Sequence, residues 1–85
     1  MEIILKDKAK SDMIFWNKSG NKQVLNKINN LLKDILIHPE TGIGKPEKLK
    51  YELSNFWSRR INDEHRVIYK VVNDELHIIS LRGHY

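Results

Sequence analysis

The stretch FWSRRINDEHRVIYKVVNDELHIISL, residues 56–81, decides the fold. It divides into three runs rich in β-branched and aromatic residues, 56–61, 65–72 and 75–81, separated by Asn62-Asp63-Glu64 and by Asn73-Asp74. Such side chains suit a pleated, half-buried surface, and Asn and Asp suit the tight links between strands. The spacing predicts an antiparallel meander in which Trp57 and Tyr69 are core or half-core residues.

Upstream the periodicity changes. Val24, Leu25, Ile28, Leu31, Leu32 and Ile35 recur at helical spacing, with Lys and Asn on the opposite face. Pro39 stops that helix, and His38 before it is pushed out of the helical region. Earlier, Asp7 is a candidate cap, and Ala9, Met13 and Trp16 form one stripe of a first helix. Ser19-Gly20-Asn21 breaks it; Gly20 suits a left-handed helix end and Asn21 suits the cap of the second helix. So short a break predicts a helical hairpin. Ile3-Ile4-Leu5 predicts an opening strand over residues 2–5, buried on both faces, and residues 40–46 read as loop. Strand, two helices, then three or four strands describe an α+β fold: an N-terminal strand and a two-helix hairpin packed on a mainly antiparallel sheet. One domain over residues 1–85 is expected, because 85 residues supply only one modest core.

The absence of cysteine excludes a disulfide scaffold and a thiolate zinc site. No apolar run approaches the roughly 18 residues of a membrane span, and the opening run is too short for a signal peptide. A cytoplasmic location is expected. A formal charge of +4 and a pI near 9.4 favour a polyanionic partner, nucleic acid or acidic protein. Glycine-rich phosphate loops and nucleophile elbows are missing. The histidines at 38, 65, 77 and 84 are scattered rather than paired at metal spacing, so neither metal nor cofactor is expected.

What remains is a polar set in and around the sheet: Glu47, Lys50, Arg59, Arg60, Arg66, and Arg82-Gly83-His84-Tyr85. A meander brings distant residues together, and Glu47, Arg66 and His84 are candidates to meet at one end of the sheet. Metal-free RNA cleavage needs a base for the ribose 2′-hydroxyl, an acid for the departing 5′-oxygen and a fixed cation for the phosphorane. A carboxylate, an imidazole and a guanidinium supply these roles, the planar guanidinium matching two phosphate oxygens. Plainer readings stand beside this one. Glu47 lies among lysines as a solvated charge would, Arg66 is placed to form an exposed ion pair with Glu64, His84-Tyr85 reads as a frayed end, and Arg59-Arg60 as the lining of a sheet face.

Several segments tip the balance: Lys45-Pro46-Glu47-x-Leu49-Lys50, Leu53-Ser54-x-Phe56-Trp57-Ser58-Arg59-Arg60-Ile61, Glu64-His65-Arg66-x-x-Tyr69 and Arg82-x-His84-Tyr85. With them the chain resembles the YoeB/Txe toxins of the RelE superfamily over essentially its whole length. The resemblance implies a fold of the microbial-ribonuclease kind and cleavage of mRNA in the A site of the 70S ribosome. It further implies 2′-hydroxyl attack without metal, a YefM/Axe-like acidic antitoxin and a potential homodimer. By motif position it assigns Glu47 as general base, His84 as general acid, Arg66 as phosphate-stabilising cation and Tyr85 as a residue shaping the site. Arg60, Arg59 and Lys50 fall among supporting RNA contacts. Gly83 stands where some relatives carry a large aromatic residue, which implies a looser tail. Two alternatives remain open: a non-catalytic nucleic-acid-binding module, and a gyrase-poisoning toxin on the same fold.

Overall fold

The computed structural model describes residues 1–83. Strand β1 (Glu2–Leu5) is followed by helices α1 (Asp7–Ser19) and α2 (Lys22–Ile37), a two-residue strand β2 (Glu47–Lys48), and a 3₁₀ turn at Tyr51–Leu53. Strands β3 (Trp57–Arg60), β4 (Arg66–Val72) and β5 (Glu75–Ser80) complete it. The sheet order is β1-β5-β4-β3-β2. The β2–β3, β3–β4 and β4–β5 pairs are antiparallel, and β1 runs parallel to β5 with Ile3 opposite Leu76 and Leu5 opposite Ile78.

Both helices lie against one face of the sheet. Ala9 and Trp16 from α1 and Val24, Ile28, Leu31 and Ile35 from α2 meet Val67, Tyr69, Leu76 and Ile78 in the core. The predicted stripe on α2 is the buried one, with Leu25 and Leu32 half-buried beside it. Asn21 caps α2, its Oδ1 accepting from Val24 N at 3.1 Å, and Gly20 closes α1 in the left-handed conformation. Between β4 and β5, Asn73 and Asp74 have φ of 50° and 61°, the backbone of a type I′ hairpin turn whose twist matches its strands.

Two expectations need correction. Asp7 does not cap α1: Lys6 holds the cap position, with no side-chain bond, and Asp7 is the first helical residue, where its charge complements the helix dipole. The opening strand is not buried on both faces, because β1 is a sheet edge and Ile3 is 40 % exposed. The fourth C-terminal strand is only Glu47–Lys48, too short for any period to announce it.

Candidate active site

Strand alternation separates the residues of the Trp57–Arg60 strand. Neighbours along a strand face opposite sides, and directly paired residues share one side. Glu47 is paired with Ser58, Ser58 with Ile68, and Arg60 with Arg66. The result is a cavity on the sheet, lined by Lys45, Glu47, Leu49, Ser58, Arg60, Arg66 and Ile68. Two of the proposed catalytic groups, Glu47 and Arg66, therefore share one concavity with Arg60. Its walls carry three cations against one carboxylate, and two of the cations belong to directly opposed residues. Like charges across a strand pair repel, so this surface favours an anion between them.

Arg66 is held partly from behind. Its Nη1 donates to the carbonyl oxygens of Asn62 at 2.8 Å and His65 at 3.1 Å, with Asp63 O at 3.4 Å. These acceptors belong to the β3–β4 turn, which Asn62 Oδ1 fixes by accepting from Glu64 N and His65 N at 2.9 and 2.8 Å. The expected ion pair with Glu64 is not formed; Glu64 lies 3.9 Å from His65 instead. A guanidinium held through one terminal nitrogen keeps its other donors for a ligand.

Arg59 departs from its expected role as an RNA contact. It is fully buried, and its donors are spent inside the protein. Nη1 donates to Asp34 and, at 3.1 Å, to Ile43 O; Nη2 donates to His38 O and, at 2.8 Å, to Thr41 O; Nε donates to Tyr69 Oη at 3.1 Å. The Arg59 guanidinium beside Asp34 holds its carboxyl below the usual carboxylate range, against the opposing effect of burial. Burial pushes the Tyr69 phenol up, keeping it a donor to Pro39 O at 2.7 Å. Arg59 thus ties the loop after α2 to the sheet, and that loop delivers Glu47. The tie is close: a Cβ on Gly42, whose φ is 119°, would stand 2.0 Å from Asp34 Oδ2. Next door, Arg60 N donates to Gly44 O at 2.6 Å.

Lys50 is exposed at the start of the 3₁₀ turn and does not line the cavity. Lys45 and Ser58 line it without having been singled out. For Ser58 the signal was available in the two-residue alternation, which groups 58 with 60; Lys45 lies in the loop before β2, where no period applies. Lys45 also carries a φ of 53°, a left-handed strain of roughly 1–2 kcal/mol that such sites tend to store. His84 and Tyr85 lie outside the described residues. The chain leading to them is in view: Arg66 N donates to Gly83 O at 2.9 Å, so the peptide group joining residues 83 and 84 is bonded to the backbone of Arg66. Gly83 itself is tied on both sides, with its N–H bonded to His65 Nδ1 at 2.9 Å; the looser tail expected after it concerns residues outside those described. Among the described residues no cluster of three His, Cys, Asp or Glu could hold a metal ion, and no helix is long and apolar enough to cross a membrane.

Comparison with known proteins places the chain in a family. The model of the family described as the YoeB-like toxin of bacterial type II toxin-antitoxin systems matches residues 5–85. Toxin YoeB of Escherichia coli (strain K12) is 45% identical over 85 residues, covering 100% of both chains. The YoeB/ParE toxin from Agrobacterium tumefaciens superposes with a TM-score of 0.95 at 36% identity over 100% of each chain. YoeB of Staphylococcus aureus, 41% identical, has been solved in a heterotetrameric YoeB–YefM toxin-antitoxin complex and as a dimer, with TM-scores of 0.88 and 0.90. In both cases 100% of this chain and 98% of that chain are covered.

Proposed function

Because this chain belongs to the YoeB-like toxins of bacterial type II toxin-antitoxin systems, we propose that it is a single-domain, ribosome-dependent, metal-free endoribonuclease that cuts mRNA in the ribosomal A site. The observation that carries this reading is the cavity where Glu47 faces Arg60 and Arg66 across three paired strands. A carboxylate inside an otherwise cationic pocket suits a reaction that removes a proton next to a bound phosphodiester.

In this reading Glu47 takes the proton from the 2′-hydroxyl and the freed oxygen attacks phosphorus. Arg66, helped by Arg60, stabilises the charge that builds on the phosphorane oxygens. The bond from phosphorus to the 5′-oxygen breaks as His84 gives that oxygen a proton, leaving a 2′,3′-cyclic phosphate and a 5′-hydroxyl. Tyr85 shapes the site, and Lys50 meets RNA at its rim. Arg59 has no part at the phosphate because its donors are engaged elsewhere. The ribosome supplies placement of the scissile group, which the protein alone does not impose. No metal or cofactor enters.

The S. aureus relative's complex with YefM supports an acidic YefM/Axe-like antitoxin as partner. Its segment covers the basic face and displaces the terminal pair. The dimer of the same relative supports self-association.

Mapping mRNA ends on translating ribosomes tests the assignment. Wild type should give cuts phased to the A site, and Glu47→Ala or His84→Ala should abolish them. Unchanged cutting by the Glu47→Ala variant would remove the carboxylate from the mechanism, and an intact message with wild type would end the nuclease reading in favour of a binding module.

A further inference from the structure

The segment Ser80–Gly83 is bound to the rest of the molecule at nearly every peptide group. Leu81 N donates to the buried Asp12 carboxylate at 2.9 Å, and Leu81 O accepts from Trp16 Nε1 at 2.9 Å. Arg82 O accepts from Lys8 Nζ at 3.0 Å, and the Arg82 guanidinium lies over the Phe15 ring at 3.6 Å. Gly83 O accepts from Arg66 N, and Gly83 N donates to His65 Nδ1, both at 2.9 Å. His65 is itself fixed, its ring set edge-on against Trp16 at 4.9 Å between centroids and its carbonyl accepting from Ile61 N.

We propose that His65 is a positioning residue for the proposed cleavage reaction. Its neutral Nδ1 holds the Gly83 amide, so that the chain enters residue 84 from a peptide docked on Arg66. The inference rests on the nuclease reading and deepens it. An amide N–H only donates, so the interaction requires a lone pair on Nδ1 and places the ring proton on Nε2. Consecutive Cα atoms are about 3.8 Å apart; fixing Gly83 therefore confines where the next residue starts. Gly83 suits this grip because its φ is 84°, open to glycine without a Cβ penalty. His65 does not touch the reacting atoms. It acts through Gly83, sharing the task with Asp12 and Trp16, which hold Leu81, and with Lys8, which holds the carbonyl of Arg82.

Two substitutions separate the acceptor from mere packing. His65→Phe keeps a ring against Trp16 and removes the acceptor; His65→Asn places a carbonyl oxygen near the position of Nδ1. The measurement is single-turnover cleavage of mRNA on programmed ribosomes, with thermal stability followed in parallel. The Phe variant should lose about 10- to 100-fold in the cleavage step, the scale of a small misplacement of a reacting group, with KM little changed. The Asn variant should recover most of that loss whatever its melting temperature. A Phe variant as fast as wild type, or an Asn variant no better than Phe, overturns the proposal. A second measurement needs no ribosome. In the isolated protein, ¹⁵N spectra of the ring should show Nδ1 unprotonated, and the Gly83 amide should exchange slowly in wild type and rapidly in the Phe variant. Rapid exchange in wild type overturns the clamp. An inactive wild type whose Gly83 amide remains protected would instead overturn the nuclease reading alone.

Discussion

Arg59 and Arg60 are adjacent, identical in chemistry and opposite in fate. One is sunk among carbonyl oxygens and a carboxylate; the other is exposed on the wall of the cavity. Removing them should therefore separate stability from activity. Arg59→Leu leaves three carbonyls without the buried donor that served them and should cost about 1–3 kcal/mol, a sizeable part of the roughly 5–15 kcal/mol that holds a domain folded. Arg60→Ala should shift stability by no more than about 0.5 kcal/mol while slowing RNA cleavage. Urea melts of both variants, set beside their cleavage rates, check the contrast. The difference between the two arginines was readable from alternation alone. Grouping them as common RNA contacts treated a strand as though it had one face. Glu47 and Arg66 were recognisable by chemical type and motif, but their shared cavity depends on register, which follows from turn geometry and cross-strand pairing rather than from residue identity. His65 was passed over because a lone histidine carries no pattern, and its partner, a glycine amide, has no side chain to read.

The segment between α2 and β2 is irregular, yet it is the element that places Glu47. Its shape comes from Arg59 reaching the carbonyls of His38, Thr41 and Ile43 and from Asp34 accepting Ile43 N at 3.1 Å. Gly42 is indispensable to that arrangement. Gly42→Ala would press a methyl group on the Asp34 carboxylate from a backbone conformation that alanine rarely adopts. The expected cost is more than about 1 kcal/mol, accompanied by reduced cleavage as Glu47 is displaced; a melt and a cleavage assay on one preparation suffice to check it. Helix α2 was legible because its period persists over 16 residues, as were the three long strands and the breaks between them. The two-residue β2 was not, since it exists only as the partner of β3. The edge position of β1 was equally hidden: an apolar run records what is greasy, not whether another strand lies beyond it.

Across the whole molecule, the Asp34–Arg59 pair makes stability depend on acidity. A carboxyl with a lowered pKa in the folded state contributes stability that is intact above its ordinary pKa of about 3.9. That contribution disappears as pH falls through the lowered value, because the folded state resists a proton that the unfolded chain accepts. Wild type should thus lose unfolding free energy below about pH 4. Asp34→Asn, less stable at neutrality, should show a shallower decline over the same range in a series of denaturant melts. An equal slope for both proteins would show that other carboxyls govern acid unfolding.

The parallel pairing of β1 with β5 also has a consequence for birth order. The first strand to leave the ribosome finds its neighbour only in the last, and that neighbour lies between β1 and β4. At roughly 5–20 residues per second, several seconds pass in which the nascent chain holds an opening strand with nothing to zip onto. A protein whose sheet closes only after β5 has emerged spends that interval without its complete fold.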